Sequence, residues 1–479
     1  MIYVVGLVAV TCCSFVVDAQ IPPQYHDYQT MLSELESLAT NTCPGVGKMI
    51  TLGTSVEGKD LLGLRLTRNA ADDPISVAAP SVRLSGNLLG DEAVSREFLF
   101  ALATYMCTQY GASGDPRVTW LVDNTQIYIV PSLNPDGFSR GVPGNAEGVD
   151  LNSDFPSRLL TGSALLDPEG RAEETAGIMS WSFAHYLTLA ANFRGGALVA
   201  SYPWDSSDEG VETTPDNSLF VRLANEYASA SPIMKGLDAT VAGGVANGGF
   251  LGGAVGTLQD WMVAALSVPE ITVFMSKDKS PPAGDLPGYW DDHYEAALTY
   301  MFQAHNSIAG RVVKAEDPGA PVVGAVCVLD SVPTGLATLV NPVTGRFWRP
   351  VVPGTFIYEL TCSAPGRTAI QKQITIPEYN LAVPPTADHL LSTVVTFQLP
   401  TAAVAPPESG LGAELDGDGP LRLWVGFLFF IQLLLVSIAG VYGCIVVCGG
   451  CVKKAGSGTT TETKTKTQGK EADASGTIV

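Results

Sequence analysis

The chain is short of histidine, of cations and, over one long stretch, of any charge at all. Five histidines occur in 479 residues: His26, His185, His293, His305 and His389. None stands at a spacing that would set two imidazoles on one side of a local element, so no histidine metal motif is written locally. Lysine and arginine number 27 against 48 acids, a formal charge of −21. That balance excludes nucleic acid as a partner and makes basic peptides or proteins the complementary class. No N-x-S/T triplet occurs, so there is no N-linked glycan acceptor. Charge is missing altogether from Leu423–Val447, 25 residues. This run is long enough to cross a bilayer with some tilt.

What is present arranges itself around that run. Residues 1–19 are apolar and end Val17-Asp18-Ala19, which predicts a signal peptide although its positive n-region is missing. Arg422 precedes the uncharged run, and Lys453 and Lys454 come after it. The segment 401–422 carries Glu408, Glu414, Asp416 and Asp418 and reads as a stalk. The positive-inside rule then puts 448–479 in the cytoplasm. The expectation is a type I single-pass protein of the plasma membrane or a secretory-pathway membrane, its ectodomain extracellular or lumenal. Of nine cysteines, four fall in that ectodomain: Cys43, Cys107, Cys327 and Cys362. Disulfides suit the compartment. Three connectivities exist; one bridge per domain pairs Cys43 with Cys107 and Cys327 with Cys362. Cys444, Cys448 and Cys451, at the membrane edge, are palmitoylation candidates. The chain ends Gly476-Thr477-Ile478-Val479, which resembles a PDZ-domain ligand.

Periodicity divides the ectodomain in two. Lys48–Ser55 and Leu61–Thr67 alternate as a hairpin, Ser81–Asn87 and Gln126–Pro131 read as strands, and Glu92–Tyr110 as a helix. Further helices are predicted over Ile178–Ala191, Asn217–Ala230 and Asp291–His305, and strands over Gly195–Tyr202 and Glu270–Met275. Residues 20–307 therefore predict an α/β domain with a mixed, mainly parallel sheet flanked by helices. Short strands between Gly/Pro turns over 308–400 predict an all-β sandwich.

Long strings then point to a family. Gly86-Asn87-Leu88-Leu89-Gly90-Asp91-Glu92-Ala93-Val94-Ser95-Arg96-Glu97 resembles the first metal motif of zinc metallocarboxypeptidases of the N/E branch, G-N-M-H-G-N-E-x-V-G-R-E. Phe193-Arg194-Gly195-Gly196-Ala197-Leu198-Val199-Ala200-Ser201-Tyr202-Pro203 is similar to the second, L-H-G-G-x-L-V-A-x-Y-P. Pro131–Phe138 and Gly148–Asn152 also match. Gly345–Thr355 resembles the signature of the transthyretin-like domain that comes after the catalytic domain in this branch. The layout is most similar to carboxypeptidase M or a single repeat of carboxypeptidase D.

The resemblance implies a zinc cofactor, yet it places Leu89 and Arg194 where the two histidine ligands belong, and only Glu92 is kept. It puts Phe274 at the general base and Pro143 at the oxyanion arginine. Val263, closing Gln259-Asp260-Trp261-Met262-Val263, stands at the substrate-facing tyrosine. Asn152 and Asp205 match groups that hold the terminal carboxylate and a basic side chain of a peptide. Plainer roles exist for each survivor: Glu92 as a helix N-terminal acid, Asp205 as a turn residue, Asn152 as a loop brace. A catalytic zinc needs three protein ligands and an open position. The expectation is therefore a membrane-anchored homologue without zinc or catalysis, acting as a peptide- or protein-binding or scaffold protein. The alternatives are an active carboxypeptidase releasing C-terminal Arg or Lys through a rebuilt metal site, and a structural surface protein with a filled cleft.

Overall fold

The computed structural model describes residues 24–402, except 112, 207–210, 237–238, 333–334, 387–388 and 391–392. The expected leader, nearly all of the stalk, the uncharged run 423–447 and the tail lie outside these residues. Among the described residues no helix is long and apolar enough to cross a membrane.

The helices are α1 (Tyr28–Ser37), α2 (Ala93–Gln109), α3 (Pro116–Asn124), α4 (Pro135–Arg140), α5 (Glu173–Ala184), α6 (Asn217–Ala230), α7 (Pro232–Lys235), α8 (Leu258–Leu266) and α9 (Leu286–Phe302). The strands of the first part are β1 (Gly47–Thr54), β2 (Asp60–Leu66), β3 (Ser81–Gly86), β4 (Gln126–Val130), β5 (Leu189–Arg194), β6 (Ala197–Tyr202), β7 (Val245–Asn247) and β8 (Glu270–Ser276). They form one mixed sheet in the order β1-β2-β4-β3-β5-β8-β6-β7. Its centre, β4-β3-β5-β8, is parallel; β2 runs antiparallel to both β1 and β4, and β6 runs antiparallel to β8 but parallel to β7. The predicted α/β domain is thus present.

Central strands are buried on both faces, which is why β3 and β4 read as continuous rather than alternating. The same property makes 178–191 read as one helix, and the structure corrects this. The helix α5 ends at Ala184, and Tyr186 turns the chain through a positive φ of 45°. The chain then enters the buried strand β5; a short apolar run looks alike in a buried helix and a buried strand. Arg83 enters the sheet interior because Glu270 accepts from it at 2.7 Å. Burial lifts the Glu270 carboxyl to about 7 despite that guanidinium. The Cys43–Cys107 bridge, S–S 2.05 Å, ties the segment after α1 to the end of α2.

From Ser307 the chain builds two small sheets from β9 (Ser307–Lys314), β10 (Val326–Leu329), β11 (Thr338–Leu339), β12 (Arg346–Pro350), β13 (Tyr358–Ser363), β14 (Ile370–Ile374) and β15 (Val395–Leu399). One has the order β11-β10-β13-β14 and the other β12-β9-β15. Ile308, Val312, Cys327, Leu360, Phe347 and Phe397 from both share one apolar cluster. Cys327 and Cys362 are register partners on β10 and β13 and are bridged, S–S 1.96 Å. Arg349 on β12 reaches Asp216, just before α6, at 2.5 Å, and Leu336 N–H donates to the same carboxylate. A buried charge pair thereby joins the two parts.

Candidate functional site

The loop between β3 and α2 carries the first motif. Asn87 sits at φ 53°, and its side-chain amide donates to the carbonyls of Leu89 and Gly90 while Ser132 donates to its oxygen. Gly90 packs so closely that an added Cβ would lie 2.2 Å from the Gly137 carbonyl carbon. The loop is therefore held from both sides, and Glu92 enters α2 with its side chain turned inward, 1% exposed. Glu92 stands at the N-cap but makes no side-chain cap bond. The plainer reading of Glu92 as a helix-terminal acid is thus not what its carboxylate does.

Both carboxylate oxygens accept from one guanidinium. Arg194, at the end of β5, donates from Nε at 2.9 Å and from Nη2 at 2.8 Å. Burial works against the Arg194 charge, but the Glu92 carboxylate more than offsets it and raises the guanidinium pKa. Phe274 is the register partner of Arg194 on β8, and the guanidinium lies over its ring at 5.0 Å. Lys279 adds a second cation, with Nζ 3.6 Å from Glu92 and 3.0 Å from Asp91. Leu89 is buried beside this arrangement in sequence, at 7% exposure. The residues at three motif positions thus form one salt-bridged, ring-covered group: a carboxylate, a guanidinium and a phenyl ring.

A cleft of ≈190 Å³ opens beyond the carboxyl ends of the strands and is lined by Asn152, Arg194, Ser201, Asp205, Thr272 and Phe274, with the loop 248–257 along one side. In α/β sheets this is where ligands sit. Asp205 comes after β6; Gln259 donates to its carboxylate at 2.8 Å, and Gly248 lies so near that a Cβ there would be 1.8 Å from Oδ1. Its backbone N–H donates to Asp260, as do the N–H and hydroxyl of Ser206. Burial first, then the neighbouring Asp260, lifts the Asp205 carboxyl to about 7. Burial also raises Asp260.

The structure brings Asn152, Arg194, Asp205 and Phe274 together around the cleft and joins Glu92 to them through Arg194. Two expected positions fall elsewhere. Val263 lies on α8, 6% exposed and packed in the main apolar cluster, because the chain reaches the cleft through residues 248–257 before that helix starts. Pro143 is exposed, and its carbonyl accepts from Gly90 N–H at 3.0 Å and Asn134 at 3.1 Å, so it braces the motif loop instead of facing the cleft. Residues that sequence reasoning missed are Lys279, Thr272, Ser201 and Asp260. Asp260 stands inside the matched string Gln259–Val263; Lys279 carries no local signal.

Zinc asks for three nitrogen, sulfur or oxygen ligands. Among the described residues no group of three or more His, Cys, Asp or Glu converges. The carboxylate kept from the ligand set is engaged through both oxygens by an arginine. The donor set does not fit the metal.

The family model for zinc carboxypeptidases matches residues 31–296. Carboxypeptidase D of Mus musculus is 31% identical over 377 residues, covering 74% of this chain and 26% of that protein. Carboxypeptidase Z of Gallus gallus is 31% identical over 394 residues, covering 74% of this chain and 59% of that protein. The chain thus spans about a quarter of the length of the carboxypeptidase D relatives it matches. Among solved structures, that of thrombin activatable fibrinolysis inhibitor aligns with TM-score 0.45 and 19% identity, covering 58% of this chain and 75% of that chain.

Proposed function

The chain belongs to the zinc carboxypeptidase family, and from that premise we propose that it is a non-catalytic member, a surface protein whose cleft binds instead of cutting. The observation that carries this reading is the Glu92–Arg194–Phe274 group. In the resemblance these three positions are a ligand, a ligand and the general base. Here they satisfy one another: the guanidinium takes the cation's place against the carboxylate, and a phenyl ring, which accepts no proton, covers the guanidinium. Metal, base and oxyanion group act as a unit in hydrolysis, so a lone survivor sustains no turnover.

Asp205 and Asn152 support a basic peptide or protein segment as the ligand. Asp205 offers a carboxylate and Asn152 an amide among the residues that line the cleft. With so few anchors, affinity no tighter than about micromolar is expected. In this reading residues 308–400 are a transthyretin-like module and 423–447 a membrane anchor. Val479 at the cytoplasmic end docks a PDZ protein by strand addition; deleting Val479 from a tail peptide should abolish such capture.

The test is metal content of the purified full chain, measured beside hydrolysis of a peptide ending in Arg or Lys. The reading expects no stoichiometric zinc and no release of the terminal residue. Release that a chelator abolishes would overturn it.

A further inference from the structure

A second cavity lies at the other end of the large sheet's parallel strands from the cleft. Its volume is ≈360 Å³, within the size range of small-molecule sites. Ala78–Pro80, which lead into β3, and Asn124, which precedes β4, form one wall. The three-stranded sheet β12-β9-β15 forms the other, through Ala309, Arg346 and Trp348. The cavity is thus at the amino ends of β3 and β4, whereas the cleft is reached from the carboxyl-end halves of their parallel neighbours β5 and β8.

Its charge is unusual for a chain of net −21. Arg346 on β12 stands directly opposite Arg311 on β9. Like charges at facing positions of a strand pair repel. Arg311 is accounted for, donating to the carbonyls of Thr344 and Gly319. The half-buried Arg346 guanidinium has no carboxylate within ion-pair reach and no side-chain hydrogen bond among the described residues. Burial and then Arg311 push its pKa down, so its charge is held against both. Arg68 also lines the cavity, 3.5 Å from Asp123, and Asp123 in turn accepts from Tyr110. His305 is neutral there: burial pushes its pKa to about 3, and its Nε2 meets the Thr125 hydroxyl. Two guanidiniums against one carboxylate leave a cationic excess, and a half-buried cation without a counter-charge is costly. Trp348 presents a flat apolar surface in the same cavity.

We propose that this cavity binds a small organic anion with a flat apolar body, its anionic group held by Arg346 and Arg68 and its body lying against Trp348. The site is independent of the peptide cleft. The probe is 2-naphthoate, titrated calorimetrically into the purified full chain. Saturable binding of one molecule per chain is expected. Loss of a charge-assisted contact in Arg346→Gln should weaken it by about tenfold or more, and 2-naphthol, the same ring without charge, should bind weaker by a similar factor of about ten. Trp348→Leu should also weaken it. Should Arg346→Gln not fold, Arg68→Gln on the exposed rim carries the same expectation. No saturable binding of 2-naphthoate, unchanged affinity in the arginine variant, or equal binding of 2-naphthol would each overturn the assignment.

Discussion

Arg194→Ala is the sharpest perturbation available. It removes both donors from Glu92, whose carboxylate is 1% exposed. Breaking a buried pair from one side costs about 3–5 kcal/mol, because the remaining charge is stranded. Two local features adjust this figure. Lys279 stands 3.6 Å from Glu92 on a side chain 39% exposed; by shifting inward from its pair with Asp91 it recovers roughly 1 kcal/mol, as a partly solvated pair does. The lost contact over Phe274, at 5.0 Å, returns roughly 0.5–1 kcal/mol to the cost. The net expectation is about 3–4 kcal/mol. Urea unfolding of the purified chain, followed by tryptophan fluorescence, measures it. Pairing the change with Glu92→Gln removes the stranded charge, so the double variant should be less damaged than the sum of the singles, by at least about 1 kcal/mol. A loss under about 1 kcal/mol in Arg194→Ala, or strict additivity in the cycle, would refute the argument that the pair is a mutually dependent buried unit.

Replacing Leu89 and Arg194 together by histidine should release Glu92 to a metal and give one zinc per chain by elemental analysis, yet no peptide hydrolysis while Phe274 stands at the base position; a zinc-free double variant would count against the motif assignment. Binding of a basic peptide should tighten as pH rises from 6 to 8, by up to about tenfold per pH unit below the carboxyl pKa, because Asp205 sheds its proton near 7; a flat profile, or Asp205→Asn with wild-type affinity, would contradict this. The same carboxyl holds its proton more tightly folded than unfolded, so its contribution to stability is complete below about pH 4 and is lost as pH rises through about 7; Asp205→Asn should flatten that part of the stability profile. Asp216→Ala strands Arg349, 1% exposed, and orphans Leu336 N–H, and should cost about 3–5 kcal/mol with faster proteolysis near 336; unchanged digestion would deny Asp216 its joining role.

Long motif strings carried most of what was legible in the residues. They placed Glu92 and Arg194 at one point although 102 residues separate them, and the bonds are there. They also set Phe274 near, but not its register opposite Arg194, since strand pairing is a tertiary choice that neither segment encodes alone. Val263 was misplaced for a related reason. The string Gln259–Val263 matched, but a matched string does not say which of its residues leave the helix surface, and α8 buries Val263. The boundary near 185 failed because burial on both faces erases the period that distinguishes strand from helix. Lys279 was invisible: its partner acids come from a loop nearly two hundred residues earlier, through packing alone.

The arginine at the end of β5 has a consequence for where such a cleft can work. A metal ion is borrowed from the surroundings: it exchanges, it can be chelated, and acid drives it off by protonating its ligands. A guanidinium is held to the chain by covalent bonds and stays charged at any pH a cell or its surroundings offer. The cation that holds Glu92 is therefore supplied by translation, one per chain. The geometry around it owes nothing to metal supply, and a vesicle that scavenges divalent ions or acidifies would leave that cation where it is.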